Sequence, residues 1–503
     1  MMRQFCKTDI KDIYNKLVDV AKKALKKNDY NASAKFIREA AKWAYNTNIF
    51  YYEPELEILL KTLSDKYLQK KEIIPNNNKY ILLDTEAIDN RGLTQQYIKA
   101  MIANKIEFQF ITLQTKTDLI KDTLSIIKAY QKANIIIIKD VNHDDVFLAR
   151  TIQNEIYKFS PEKILLHIKP WDVTSLLAIH SITGSKIYNI NMTDHAFWLG
   201  ASFIDYNFEF RPYGMTISKE QRGLKDNQLL PMPFYPITYG KTAFEGFPKE
   251  TIGKIIIFTG GSPYKMYDKE QTFLLKIIDS ILSLSDKTVV LLAGVPKNSP
   301  IILDAISKMD NPDRLIFIGT RKDINEVFNH CDIYLNTYPV EGGLMLQYAA
   351  TNAKPIISYT NNTKGRKEAV ESFVNHYNDS FNTFTDIKDV INYTRNLLFD
   401  TEFRKNEGLK NKESVMNEES FNNIFYQTIM SNKKQFIWTD IEIDYESISN
   451  LYIEQENNTL HTGYRRLVQI FKMKLYILFP KYAWNTTYFL IEMIKRKIKE
   501  IMK

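Results

Sequence analysis

The amino-acid sequence predicts an α/β protein in which two doubly wound domains stand in tandem, with a helical preface before them and a helical, basic extension after them. Three observations predict it. From residue 76 short apolar runs alternate with longer amphipathic segments. One proline-bearing stretch interrupts this alternation, which then restarts. Residues 1–75 show only the spacing of three and four that marks helices. A chain of 503 residues has room for two to four domains.

Residues 1–75 come first. Leu17, Val20, Ala21 and Leu25 recur at helical spacing, as do Leu56, Leu59, Leu60 and Leu63, so two to four helices are expected. They serve either as a packing cap or as an element for acceptor docking or dimerisation. In the first domain, 76–236, the runs 79–83, 108–113, 134–138, 163–168 and 186–190 read as strands, and 203–210 and 214–218 extend the sheet at its end. A turn at Asp89-Asn90-Arg91-Gly92 leads into a helix at 93–103. Residues 230–236 hold Pro231, Pro233 and Pro236 and read as a linker, because proline denies a sheet or helix its backbone donors. In the second domain, 250–430, strands are expected at 254–259, 288–293, 314–318, 332–336 and 354–358, with a helix at 271–284. Two such domains present the carboxyl ends of their strands to a shared cleft, where ligands sit.

Composition bounds the function. With 44% hydrophobic and 25% charged residues, and only 17 Gly and 16 Pro, the chain is neither collagen-like nor broadly disordered. Cys6 and Cys331 are too few for a disulfide framework or a zinc ribbon, which suits a reducing compartment. Residues 461–503 hold ten Lys or Arg against Glu492 and Glu500, so the whole net charge of +8 lies there on a neutral body. A basic tail of this kind predicts an anionic membrane surface as partner, through 464–503, and no nucleic acid. Ile491, Ile494, Ile498 and Ile501 form a stripe opposite Lys495, Arg496, Lys497 and Lys499, the pattern of an interfacial helix. No secretory leader and no membrane span is expected. The expected location is cytoplasmic, with peripheral attachment to the inner face of the membrane.

The most specific segment is 332–359, DIYLNTYPVEGGLMLQYAATNAKPIISY. A buried strand ends in a loop with Tyr338 and Pro339, and Gly342-Gly343 opens a helix. Such a glycine pair admits a ligand to the backbone, and the free N–H groups of a helix start bind phosphate oxygens. This segment resembles the donor-site signature of GT-B glycosyltransferases, in which a strand of the form D-x-x-L-x-T-x-P precedes a Gly-rich turn, a helix and a G-x-P-hydrophobic strand. Ala353 stands at the last glycine. Retaining members similar to family 4 carry a pair of glutamates around this turn; Glu341 is near the first place and Tyr348 occupies the second. The glycine pair directly after Glu341 is more similar to the branch that resembles O-GlcNAc transferase, which leaves retaining against inverting open. The resemblance covers 76–430 and implies a GT-B arrangement of two Rossmann-like domains.

It also implies site residues. Gly261, Ser262 and Lys265 at the end of the first strand of the second domain, with Gly342, Gly343 and Leu344, would meet the diphosphate; small residues admit phosphates and an ammonium offsets their charge. Tyr338, Gly319, Thr320 and Arg321 line the nucleotide side, and Gly92 allows close approach from the first domain. Asn191 to Gly200 brings a polar cluster to the cleft edge, in which His195 takes a proton or positions the donor, with Asp194 or Glu341 as the neighbouring carboxylate. The other histidines, His167 and His376 among them, read as packed. Asp84 and Asp140 stand at strand ends without a second ligand at metal spacing, so no metal is assigned and no cofactor beyond a nucleotide-sugar, UDP- or GDP-linked, is required. The implied activity is transfer of a sugar to a hydroxyl on a glycan or lipid-linked acceptor in bacterial surface polysaccharide or glycoconjugate assembly. A non-catalytic glycosylation chaperone and a nucleotide-sugar epimerase are the alternatives.

Overall fold

The computed structural model describes residues 3–139, 144–238, 242–266, 273–296, 300–458 and 462–501; Asp140 and the first two residues of the helix expected at 271–284 lie outside them. The chain begins with three helices, α1 (Lys7–Lys26), α2 (Tyr30–Thr47) and α3 (Pro54–Tyr67). The apolar side of α1, with Ile10, Ile13, Leu17 and Ala21, closes on Ala34, Ile37, Ala41 and Ala44 of α2. The alanines let the two helices approach closely, and Trp43 Nε1 donates to Ile10 O across the contact at 2.9 Å. Asn48 ends α2 in the left-handed conformation at φ 41°.

The C-terminal extension joins this helical cap. Tyr464, Leu467, Phe471, Phe479, Tyr482 and Phe489 are buried in the same core as α1 and α2. Two asparagines bracket the start of the chain: Asn485 accepts from Arg3 N and donates to Arg3 O, at 2.9 and 3.0 Å, and Asn457 does the same for Phe5 at 2.7 and 2.8 Å. This corrects the picture of 464–503 as one membrane-facing tail. Its large aromatic residues find a dry partner in the cap, and one face is left outside.

The first sheet has seven parallel strands and the second has five. In chain order the strands are β1 (Lys71–Glu72), β2 (Asn76–Asp84), β3 (Glu107–Thr112), β4 (Ala133–Ile137), β5 (Pro161–His167), β6 (Ile182–Thr183), β7 (Lys186–Ile190), β8 (Tyr206–Glu209), β9 (Leu229–Pro231), β10 (Ile255–Gly260), β11 (Thr288–Ala293), β12 (Leu315–Gly319), β13 (Ile333–Leu335) and β14 (Ile356–Ile357). The first sheet runs β4-β3-β2-β5-β7-β8-β9 and the second β12-β11-β10-β13-β14, while β1 and β6 form a separate pair beneath the cap. Side chains alternate between faces: Ile81 and Leu83 of β2 face the helical cap, whereas Tyr80 and Leu82 face the core shared with the second domain.

Two expectations change here. Residues 214–218 are not a strand but part of the helix Pro212–Glu220, because Pro212 at its first turn has the φ a helix needs and no donor to lose. Leu230 and Pro231, expected as the start of the linker, belong to the edge strand β9, where a missing N–H leaves no ladder bond unmade.

Two helices tie the domains together. Residues 232–238 run along the helix Gly343–Thr351, whose Gln347 Nε2 donates to Phe234 O and whose Tyr348 hydroxyl donates to Ile237 O, at 3.0 and 2.7 Å. The helix Glu418–Ser431 then returns from the second domain to α4 (Thr94–Ala103) in the first: Lys99 pairs with Glu418 at 3.1 Å and Tyr97 packs on Phe421 and Phe425.

His376 gives the second domain a pH signature. Its ring is buried and Nδ1 accepts from Met416 N at 2.8 Å, and burial pushes its pKa down to about 3. A histidine depressed on folding lends stability above its ordinary value near 6.5 that is lost as pH falls toward 3, by about 1.4 kcal/mol per unit. Urea unfolding at pH 7.5 and 5.0 will show this loss, and His376→Asn will shrink it.

Candidate active site

The loop after β7 carries Asp194 and His195, and five side chains fix it. Arg222 Nη2 donates to the carbonyls of Thr193, Asp194 and Ala196 at 3.3, 2.9 and 2.7 Å. Asn48, from the end of α2, donates to His195 O at 3.2 Å and accepts from Phe197 N at 3.1 Å. Tyr452 donates to His195 O at 3.4 Å. Asp194 is buried and grips Arg211 through both oxygens, Nε to Oδ2 at 2.5 Å and Nη2 to Oδ1 at 3.0 Å. Its other partner is His195 Nδ1 at 3.2 Å. Burial alone would raise the Asp194 pKa, but Arg211 and His195 outweigh it and hold the carboxylate ionised, far below the usual range. The His195 side chain is 42% exposed, so one ring nitrogen is oriented by a carboxylate while the ring stays open to solvent. That is the arrangement of a positioned proton acceptor.

Glu209, at the end of β8, supports the loop from below. It accepts from Asn191 Nδ2 at 2.9 Å and from Ser218, and burial pushes it up to about 8. A Cβ on Gly214 would stand 2.5 Å from Asp194 Cβ and 2.7 Å from Glu209 Oε2, so only glycine lets the helix Pro212–Glu220 come this close to both carboxylates.

The second domain contributes the loop after β13. Asn336 accepts from Gly342 N at 3.1 Å, and Thr337 Oγ1 donates to Val340 O at 2.7 Å, which shapes the turn into the helix Gly343–Thr351. Glu341 is surrounded by cations: Arg366 Nη2 lies 3.2 Å from Oε2, Arg211 Nη1 lies 3.8 Å from Oε1, and Lys265 Nζ donates to Glu341 O at 2.8 Å. Burial would raise the Glu341 pKa, yet Arg366 and Arg211 bring it down to about 2. Burial likewise lowers the pKa of Lys265. A Cβ on Gly343 would stand 2.5 Å from the Phe373 ring, and that ring lies 4.1 Å beneath the Arg211 guanidinium.

Arg211 therefore joins the two halves. It holds Asp194 of the first domain, donates to Ala369 O of the second and approaches Glu341. The residues expected at the site fall into three groups. His195, Asp194, Glu341, Lys265, Gly342 and Gly343 stand together around Arg211, and a Cβ on Gly261 would meet Lys265 and Thr337 at 3.5 Å. Gly92 lies over Met192 and His167 on the same edge of the first sheet. Gly319 and Thr320 are exposed at the end of β12, Ser262 is exposed before the 3-10 turn Pro263–Lys265, and Leu344 is half-buried. Tyr338 packs with Phe273 and Tyr359. Arg321 is committed elsewhere: it forks onto Asp323 and donates to Gly246 O at 2.8 Å.

Arg211, Arg222, Arg366 and Asn48 are the residues that sequence reasoning missed. Arg211 had a signal, since a lone arginine stands between a buried strand and Pro212, where a strand ends and a helix begins. Arg366 had none, flanked as it is by Lys364 and Lys367. His167 is packed as expected, but its Nδ1 is 2.8 Å from Asp84 Oδ2; burial lowers its pKa and Asp84 more than restores it. Among the described residues no cluster of His, Cys, Asp and Glu could hold a metal ion.

Comparison with known proteins places this geometry. No family model matches the sequence, and no curated protein matches it. Solved structures do. HepE of Anabaena, in complex with UDP and glucose, is similar over 70% of this chain and 99% of its own at 13% identity, with a TM-score of 0.51. An O-GlcNAc transferase mutant from Thermobaculum terrenum is similar over 83% of this chain and 78% of its own at 11% identity, with a TM-score of 0.53. A putative UDP-N-acetylglucosamine 2-epimerase from Listeria monocytogenes is similar over 72% and 100% at 12% identity, with a TM-score of 0.50. With its two parallel sheets and its returning helix, the chain has the fold of the GT-B glycosyltransferases.

Proposed function

We propose that the protein transfers a sugar from a nucleotide-sugar, UDP- or GDP-linked, to a hydroxyl of a glycan or lipid-linked acceptor. The observation that carries this reading is the junction at Arg211, where an oriented histidine from one domain meets a cation-lined helix start from the other. Lys265 and Arg366, with the N–H group of Gly343 at the helix start, would hold the donor diphosphate, and Gly342 shapes the turn beneath it. Gly261, Ser262 and Leu344 complete that cradle, and Gly319, Thr320 and Tyr338 flank the nucleoside. Arg321 forks onto Asp323 on the nucleotide side, away from this cradle. His195 receives the acceptor proton as the oxygen attacks the anomeric carbon and the bond to the diphosphate breaks, and Asp194 steadies the imidazolium that forms. The departing diphosphate is stabilised by the cations and the helix start, a mechanism that calls on no metal. The proposed setting is surface polysaccharide or glycoconjugate assembly at the cytoplasmic face of a membrane, with the basic extension 464–503 as peripheral anchor.

The test is a thermal shift panel with UDP, GDP, CDP, ADP and UMP, without and with Mg²⁺. A ligand at 100 times its Kd stabilises its site by about 2.7 kcal/mol, a rise of about 5 °C. One nucleoside diphosphate is expected to give this rise without metal, and Lys265→Ala and Arg366→Ala to remove it. If none does, sugar transfer is the wrong reading. The epimerase alternative is separated by incubation with donor alone, which it would convert without an acceptor.

A further inference from the structure

The C-terminal extension keeps an apolar face outside after its aromatic side has packed on the cap. Met473 and Ile477, one turn apart, are 66% and 83% exposed, and Trp484, Tyr488, Ile491 and Ile498 form an exposed stripe along the helix Ala483–Ile501, with Trp484 at 64%. The two pieces are joined, since the hydroxyls of Tyr476 and Thr487 bond at 2.6 Å. Beside Met473 opens a cavity of about 520 Å³ with Phe36, Ile470 and Phe471 in its walls. Lys35, Lys472 and Lys474 line the same cavity, and Lys35 Nζ lies 5.5 Å from the centre of the Phe471 ring. Bare aliphatic side chains next to a ring of ammonium groups need a ligand that is apolar and anionic at once.

We infer that this surface docks on an anionic lipid bilayer, with Ile477, Trp484 and Ile491 entering the acyl boundary and Lys35, Lys472 and Lys474 meeting headgroup phosphates around the cavity. The inference deepens the peripheral anchor proposed above and rests on that reading. It also corrects its extent: the anchor is one face of 473–498 together with Lys35 of α2, not the whole of 464–503. Charge selects the occupant. A second copy of the chain would bring the same concentration of lysines against this one, and like charges repel. A nucleic acid would leave three isoleucines and a tryptophan without a dry partner. An anionic bilayer answers both parts of the surface, and each cation near it strengthens binding about fivefold.

The experiment is co-sedimentation of the full chain with vesicles of phosphatidylcholine, alone or mixed with phosphatidylglycerol, in the absence of nucleotide. Binding to the mixed vesicles is expected to be at least about tenfold tighter and to weaken with salt. The triple variant Ile477→Glu, Trp484→Glu, Ile491→Glu changes only exposed side chains, so it should keep its Tm and its response to nucleoside diphosphates while losing the vesicles. Lys35→Glu with Lys474→Glu should lose the preference for phosphatidylglycerol. Equal binding by the triple variant and the parent overturns the inference. So does a parent that ignores both vesicles, or one retained on RNA more tightly than on them. None of these outcomes touches the nucleotide response, so failure of the anchor and failure of the sugar-transfer reading are told apart.

Discussion

Replacing Arg211 by methionine will cost about 3–5 kcal/mol of stability and abolish transfer, because it strips a buried carboxylate of its partner. Asp194 is fully buried, and in the variant the His195 imidazole would remain to it. Glu341 would keep Arg366 but lose the second cation that holds it ionised. The guanidinium also seals the junction between the domains, stacked on Phe373 and bonded to Ala369 O. Methionine keeps an unbranched apolar stem and restores none of these contacts. Urea unfolding of the two proteins at pH 7.5 measures the difference. A loss under about 1 kcal/mol would mean that this pair adds little net stability. Arg211→Lys separates charge from fork: a lysine keeps one positive charge but cannot grip both oxygens, so it should recover part of the stability and little of the activity.

Substituting His195 by alanine will lower kcat by about 10² to 10⁴ and leave folding and nucleotide affinity where they were. The two halves of this expectation come from different observations. The ring is oriented by Asp194 and open to solvent, so its removal takes away a proton acceptor. Its backbone carbonyl, not its ring, is what Asn48 and Tyr452 hold, so the loop stays in place in the variant. Steady-state kinetics with the nucleotide-sugar that the thermal shift panel identifies will show a fall in kcat with KM for the donor nearly unchanged. A parallel rise in that KM would assign His195 to donor binding instead. Asn48→Ala offers a further contrast, since it should disturb the loop without touching the ring and lower kcat by a smaller factor.

Much of this fold was legible because its strands are short runs whose faces are both buried. Ile255 to Gly260 and Thr288 to Ala293 are nearly continuous apolar stretches, and nothing in a globular protein produces such runs at this spacing except a covered parallel sheet. Residues 214–218 were not legible in this way. Met215 and Ile217 alternate with small polar residues over too short a length to distinguish strand from helix, and the deciding residue was Pro212, just outside the run. The site divides along the same line. Gly342 and Gly343 announce a tight turn within one segment, whereas Arg211, Arg366 and Asn48 owe their roles to partners far away in the chain. Asn48 and the His195 carbonyl are 147 residues apart. No local pattern encodes such a pairing. The extension was legible in its amphipathic period and misleading in its direction, because a period tells that a helix has an apolar side but not which neighbour covers it.

The brackets that Asn457 and Asn485 place on Phe5 and Arg3 have a consequence for how the molecule is made. During synthesis α1 leaves the ribosome early, yet the side chains that complete its surroundings arrive more than 450 residues later. Until then Phe5 lacks the rings of Tyr464 and Tyr482 that pack on it, and the growing chain carries an exposed apolar face through the folding of both sheets. Contacts of such long separation form slowly, because a long loop must close before they reward it. The cap is therefore the last part to be finished, and chains released before Tyr482 will be aggregation-prone even though both parallel sheets are already complete.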